Sequence, residues 1–276
     1  MLQQFKRDLT QNSNKLHLDK YYTSDKMAQY CIDKAREILK NEKVTEVIEP
    51  SAGNGAFSKK LKRCIAYDLE PEDDSIIKQD FLELNIPYKE GRLFIGNPPY
   101  GSRLNLAKAF CNKAFELGDY VAYILPISQL NNTQTIYKFD LIYSEDLKEQ
   151  NYSDRKIHCC FNIYKRPKNG LNAILRYCDT AILEIRESIK NKNPKRNRIV
   201  SGFNYDIAIC AWGAIGKELE YEGQYVKEFY IKVHKEELKE KIIDLIKNAD
   251  WCKIYPMTAV PNLLHWQVYK YVLENI

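Results

Sequence analysis

VTEVIEPSAGNGAFSKKLK, residues 44–62, is the stretch that decides the fold. Val44 to Ile48 is a short, β-branched run of the kind that forms a buried strand. It stops at Glu49-Pro50, turns through Gly53 and Gly55, and enters a helical pattern at Phe57 and Leu61. Strand, glycine turn and helix in that order open a βα unit. A glycine turn at this place lets backbone approach a ligand closely, although plain tight turns use glycine too. Ser58 stands where a dinucleotide fingerprint needs its third glycine, and no Gly-Lys-Ser/Thr follows to make a phosphate loop.

The same rhythm continues outward. Ahead of the stretch, residues 25–40 predict a helix carrying Met27, Tyr30, Cys31, Ala35 and Ile38 on one face, with Ser24 as N-cap. Behind it, CIAYDLEP (64–71) reads as a second strand and SIIKQDFLEL (75–84) as a third with its exit loop. RLFIGNPPY (92–100) is a fourth strand running into a loop. LNLAKAFCNKAFELG (104–118) is a helix closed by Gly118, and DYVAYILP (119–126) is a fifth strand. Strands alternating with helices predict an α/β fold with a parallel sheet covered on both faces. Ligands bind such sheets beyond the carboxyl ends of the strands, and Glu49, Asp68, Asp80 and Asn97 all fall there.

Two further apolar runs follow, FDLIYS (139–144) and KIHCCFNIYK (156–165). KRPKNG (165–170) then marks a boundary, dividing the chain into domains 1–166 and 167–276. Residues 186–198, RESIKNKNPKRNR, read as a basic connector or as the basic end of a helix running from about Leu171. Beyond it the βα rhythm is lost. Strands are expected within 199–213 and 223–233, and helices at 235–248 and near 262–275, a smaller mixed α+β region.

Composition narrows the function. The chain has 276 residues, 45% of them hydrophobic, which makes it globular. A formal net charge of +5 permits an anionic partner without demanding one. No apolar run reaches the roughly 18–20 residues of a membrane span, and the polar N-terminus lacks a signal-peptide core. A cytoplasmic protein is expected. The eight cysteines show no C-x-x-C spacing and the four histidines are scattered, so free thiols and no metal site are expected.

Asn97-Pro98-Pro99-Tyr100 directly follows the apolar strand Leu93-Phe94-Ile95. Alone it would be an ordinary turn. On the fourth strand of a sheet whose first strand carries the glycine turn, it means more. With Tyr21-Tyr22-Thr23, EPSAGNGAF (49–57), YDLEP (67–71), QDFLEL (79–84), GNPPYG (96–101) and CCFNIYKR (159–166), it spans most of residues 20–166. In this combination the chain resembles the class I S-adenosylmethionine-dependent DNA adenine-N6 methyltransferases, in the motif order called gamma. Residues 199–276 resemble the family's variable recognition segments only weakly.

The resemblance implies a Rossmann-like, largely parallel seven-stranded sheet with a target-recognition region behind it. It implies S-adenosylmethionine as cofactor, S-adenosylhomocysteine as product, and duplex DNA as substrate and partner. A cognate restriction endonuclease is a further implied partner, and the chain would act as monomer or homodimer, encoded by a bacterium, archaeon or virus. Carried over by residue, Tyr22 and Thr23 would line the methionine end of the cofactor and Glu49 would face its ammonium. Pro50, Gly53 and Gly55 would form the turn against it. Asp68 would hold the ribose, Asp80 would accept from the cofactor's adenine amino group, and Phe81 would lie against that ring. Asn97, Pro98, Pro99 and Tyr100 would hold the target base, with Asn97 also bordering the cofactor, and Phe161 would be a second aromatic wall. Strand alternation alone leaves Phe161 open as a core residue. Lys165, Arg166, Lys168, Lys192, Lys195, Arg196 and Arg198 would contact the DNA backbone. An RNA adenine, a protein glutamine amide, or a non-catalytic DNA-binding role are the alternatives.

Overall fold

The computed structural model describes residues 22–152, 155–174, 177–190, 193, 195, 197–256 and 260–276. They fall into two units, Met1–Ile174 and Leu175–Ile276. Residues 167–174 stay with the first unit, where Asn172 bonds the Lys138 carbonyl and Asp140.

In the first unit, β1 (Glu46–Glu49) is short because Pro50 has no N–H to continue a ladder. It runs parallel to β2 (Cys64–Asp68) on one side and to β4 (Arg92–Gly96) on the other. β3 (Ile77–Lys78) extends the sheet beyond β2, and β5 (Tyr120–Pro126) extends it beyond β4, both in parallel. β7 (Arg155–Lys165) then pairs antiparallel with β5, and β6 (Asp140–Tyr152) closes that edge antiparallel to β7. The order β3-β2-β1-β4-β5-β7-β6 is the seven-stranded sheet of the Rossmann-like class I methyltransferase fold. Its central strands read as continuous apolar runs because both faces are covered. Ile48, Phe94, Val121 and Ile124 have no exposed surface.

α1 (Asp25–Ile38) starts where expected, with Ser24 Oγ accepting the Met27 N–H, and buries Ala28, Cys31, Ile32 and Ala35. α2 (Asn105–Leu117) ends at Gly118. That glycine is needed for space, since a Cβ there would lie 2.7 Å from the Arg92 carbonyl oxygen. The helix expected from Phe57 is only a 3-10 turn, Ser58–Lys60. Leu61 already takes extended backbone and Arg63 a left-handed conformation, so the helical pattern stops well before β2.

Arg166 closes the first unit. Its Nε donates to Asp119 Oδ1 at 2.9 Å, and its Nη2 donates to the Gly118 carbonyl at 2.9 Å and to that of Phe115. The guanidinium lies over the rings of Tyr88 and Phe139 at 5.0 and 4.8 Å. Buried Asp119 also accepts from the Tyr88 hydroxyl and the Gly91 N–H.

The second unit is a three-stranded antiparallel sheet in the order β8 (Leu183–Ile189), β10 (Lys227–Val233), β9 (Ile207–Cys210). Three helices follow: α3 (Lys239–Asn248), α4 (Trp251–Ile254) and α5 (His265–Asn275). Leu183, Ile185, Ile209, Phe229 and Ile231 pack with Ile242, Ile246, Trp251, Val268 and Val272 into a separate core. β8 replaces the helix expected to run from Leu171 into the basic tract. Leu183 and Ile185 are buried while Glu184 and Arg186 face out, a period of two that no helix shows.

All eight cysteines are free, and five of them are buried. Burial pushes the thiols of Cys31, Cys111 and Cys160 well above the usual range. No helix among the described residues is long and apolar enough to cross a membrane.

Arg166→Ala strands the Asp119 carboxylate without its cation. Urea unfolding should show a loss of roughly 3 kcal/mol. A change within experimental error would remove Arg166 from its place as the clasp of this unit.

Candidate active site

The parallel register delivers Glu49, Asp68, Lys78 and Gly96 to one edge of the sheet, at the carboxyl ends of β1 to β4. The glycine turn leaves from β1. Gly53 and Gly55 take left-handed backbone, with φ of +54° and +82°, which glycine adopts at no steric cost. The Gly53 N–H donates to Asp68 Oδ2 at 2.7 Å, and Asp68 Oδ1 accepts the Glu70 N–H at 2.8 Å. Asp68 therefore ties the turn to the end of β2. A Cβ on Gly53 would meet the Tyr22 ring at 3.6 Å, so Tyr22 lies directly over the turn. The Tyr22 hydroxyl donates to Glu72, whose own N–H bonds the Gly53 carbonyl.

The Asn97 loop is joined to this turn from the next strand. Asn97 Nδ2 donates to Thr23 Oγ1 at 3.2 Å, and Ser51 Oγ donates to the Asn97 carbonyl at 3.3 Å. Tyr22, Thr23, Gly53, Asp68 and Asn97, widely separated in sequence, thus form one hydrogen-bonded cluster. Pro50 and Pro98 are buried beside it and Pro99 is half-buried. Past the loop, Arg103 and Leu104 hold φ of +52° and +66°, a strained conformation for side chains of that bulk.

Glu49 is 1% exposed, and its carboxylate accepts the Phe57 and Ser58 N–H groups at 3.4 and 2.7 Å. Burial is the largest influence on it and pushes its pKa up to about 7. The nearby Asp68 charge adds to the rise, and the hydrogen bonds oppose it. Glu49 therefore titrates near neutrality.

Other expected residues lie differently. Asp80 Oδ1 accepts the Leu82 N–H at 2.8 Å and caps a 3-10 turn, Phe81–Glu83. Phe81 is almost wholly buried, with ring centroids 5.6 Å from Phe94 and 5.2 Å from Phe110. Tyr100 is buried, its hydroxyl 3.4 Å from Cys159 Sγ. Phe161 has no exposed surface and sits in the core of the first unit, so in this conformation it offers no wall to a base. Both faces of β7 are covered there, which is why strand alternation could not place it.

Of the residues expected on a DNA backbone, Lys168 and Lys195 are exposed. Arg198 is exposed and paired with Glu187 at 3.2 Å. Lys165 pairs with Glu42, and Arg166 is turned inward as described. Lys192 and Arg196 lie outside the described residues, as does Tyr21. Ser51 and Glu72 were missed by sequence reasoning. Ser51 follows Pro50 inside the turn and Glu72 follows Pro71 after Asp68, and nothing in their spacing marks them. Among the described residues no three His, Cys, Asp or Glu side chains group as a metal site would need.

No family model and no curated protein matches the chain. Solved structures do. One is a Pyrococcus horikoshii protein described as an RNA methyltransferase, at 18% identity and a TM-score of 0.44, covering 54% of this chain and 87% of that one. Another is the 23S rRNA methyltransferase ErmE, at 14% identity and a TM-score of 0.37, covering 51% and 70%. A third is magnesium protoporphyrin IX methyltransferase of Synechocystis PCC 6803 with bound S-adenosylmethionine, at 11% identity and a TM-score of 0.36, covering 59% and 96%. All three scores lie below 0.5, so the fold assignment rests on the strand order itself.

Glu49 provides a pH test of this geometry. An acid with a raised folded-state pKa favours folding while protonated. That contribution is full below the unfolded pKa and is lost as pH rises through about 7. Glu49→Gln should leave stability at pH 5 nearly unchanged and raise it above pH 8 by roughly 3 kcal/mol. Urea unfolding at both pH values is the check. An equal effect at both would mean that Glu49 does not titrate near neutrality.

Proposed function

We propose that the chain is an S-adenosylmethionine-dependent methyltransferase that methylates the N6 amino group of an adenine flipped out of duplex DNA. The observation that carries this reading is the junction at Thr23 and Ser51, which joins the Asn97 loop to the glycine turn. Two left-handed glycines, Asp68 beside them and Tyr22 across Gly53 make a cradle that suits an adenosine-type ligand without phosphate. When bound, S-adenosylmethionine supplies a methyl group carried on a sulfonium. Tyr22, Thr23, Glu49, the glycine turn and Asp68 would hold it, with Asp80 on its adenine side. A cationic ligand beside Glu49 would also favour the ionised carboxylate.

The target nitrogen is a poor nucleophile, because its lone pair is delocalised into the purine ring. With the nitrogen end of its amide on Thr23, Asn97 has oxygen as its acceptor end. That oxygen accepts one amino hydrogen and the Pro98 carbonyl accepts the other. Two fixed acceptors favour a pyramidal nitrogen with a localised lone pair. Pro98 and Pro99 stiffen the loop and offer no competing N–H. Acceptors set in place beforehand stabilise the positive charge that develops on the nitrogen, and alignment for in-line transfer supplies much of the rest. No strong base is required, since the methylated amino group loses its proton readily to water. Flipping the base costs a few kcal/mol, which stacking on Tyr100 would offset in part. Exposed Lys168, Lys195 and Arg198 suit phosphate contact, which positions a duplex without reading it.

Asn97→Ala should abolish transfer of labelled methyl groups to duplex DNA while the affinity for S-adenosylmethionine stays within about threefold, a change below 1 kcal/mol. Surviving transfer would remove Asn97 from catalysis. RNA and protein offered in parallel identify the substrate class, and preferential labelling of RNA adenine would replace DNA in this reading.

A further inference from the structure

The segment after β5, residues 126–135, leaves the sheet at the edge that carries Asn97, one strand over from the Asn97–Tyr100 loop. The two are linked through β7. Pro126 pairs with Cys159, whose thiol touches the Tyr100 hydroxyl. The shape of the segment is fixed from within. Asn132 Nδ2 donates to the Ser128 carbonyl at 3.1 Å and to Thr135 Oγ1 at 3.0 Å. Asn132 Oδ1 accepts the Gln134 and Thr135 N–H groups at 2.9 and 3.1 Å. Asn162, fully buried on β7, donates to the Gln129 carbonyl at 2.7 Å and accepts from Ser144 Oγ at 2.8 Å. Ser144 Oγ in turn accepts the Asn131 N–H at 2.8 Å.

Three side-chain atoms stand outside this network. Gln129 Oε1, Thr133 Oγ1 and Gln134 Nε2 are buried with no hydrogen-bond partner among the described residues. Gln129 is only 3% exposed. Buried polar atoms are seldom left unpaired, because their lost hydration is recovered only when a partner arrives. The three groups are neutral and offer both acceptor and donor. A phosphate would call for cations or converging N–H groups, whereas a neutral heteroaromatic edge needs this mixture.

We infer that Gln129, Thr133 and Gln134 form a base-reading subsite that hydrogen-bonds the edge of a nucleobase on the substrate strand, beside the methyl-accepting adenine. This rests on the methyltransferase reading above. Binding of the base would give these side-chain atoms the partners they lack among the described residues. Asn132 and Asn162 are the frame that holds the segment and do not contact the base.

Gln129→Leu keeps the volume and removes the polar atoms. Its thermal midpoint should hold or rise, because an unpaired buried oxygen is gone. Its affinity for S-adenosylmethionine should stay within twofold. Its kcat/KM for nucleic acid should fall about tenfold or more, with a relaxed base preference around the methylated adenine when the product is sequenced. Asn132→Leu is the structural comparison and should lower the midpoint. An unchanged kcat/KM for Gln129→Leu, or a loss that merely follows a lowered midpoint, overturns the subsite. If the wild-type chain transfers no methyl group to any nucleic acid, the methyltransferase reading fails by itself. Binding of a fluorescent duplex then decides the subsite: a tenfold weaker Kd for Gln129→Leu supports it, and an equal Kd overturns it.

Discussion

β1 pairs in parallel with β2 on one side and with β4 on the other, and the site exists because of that pairing. Parallel strands end on the same edge, so the glycine turn, Asp68 and the Asn97 loop emerge side by side. Gly96, the last residue of β4, lies in ordinary van der Waals range of Glu49 and Pro50 at the end of β1, which brings the two strand ends side by side. The Gly53–Asp68 and Asn97–Thr23 hydrogen bonds are short-range consequences of that arrangement. The first depends on β1 and β2 ending on the same edge, and the second on β4 ending there too.

The two carboxylates at this edge are held in different ways. Glu49 is buried, bonded to two backbone N–H groups, and holds its proton up to about neutral pH. Asp68 accepts one backbone N–H on each oxygen, from Gly53 and from Glu70. The Asn97 loop contributes amide and carbonyl acceptors instead of a charged base. In the proposed reaction, activating an aromatic amine depends on position, and the proline pair, Thr23 and Ser51 would serve to fix it.

Much of this was legible in the sequence. β1, β2, β4 and β5 are largely apolar runs with clear stops, whereas β3 shrinks to the exposed pair Ile77-Lys78, and the residues at the strand ends could be named from the alternation of strand and helix. Gly53, Gly55, Asp68 and Asn97 were readable because a turn, a strand end and a proline pair leave local marks. The rest depended on contacts between distant residues. Ser51 and Glu72 matter through partners 46 and 50 positions away. Phe161 lies on a strand covered on both faces, where period-two reasoning loses its meaning. Arg166 looked like a surface cation because its partners Asp119, Phe115 and Gly118 stand some fifty residues upstream. The basic tract reads as a connector or a helix end because its charges hide the two-residue alternation of β8, which runs into its first residues.

If this edge of the sheet methylates an exocyclic adenine nitrogen, as proposed, the label of S-adenosylmethionine ends on that nitrogen. The most direct measurement incubates the chain with duplex DNA and methyl-labelled S-adenosylmethionine, digests the DNA to nucleosides and locates the label. Label is expected in N6-methyldeoxyadenosine and in no other nucleoside. Label on a cytosine, or none on any nucleoside although the cofactor binds, would contradict it.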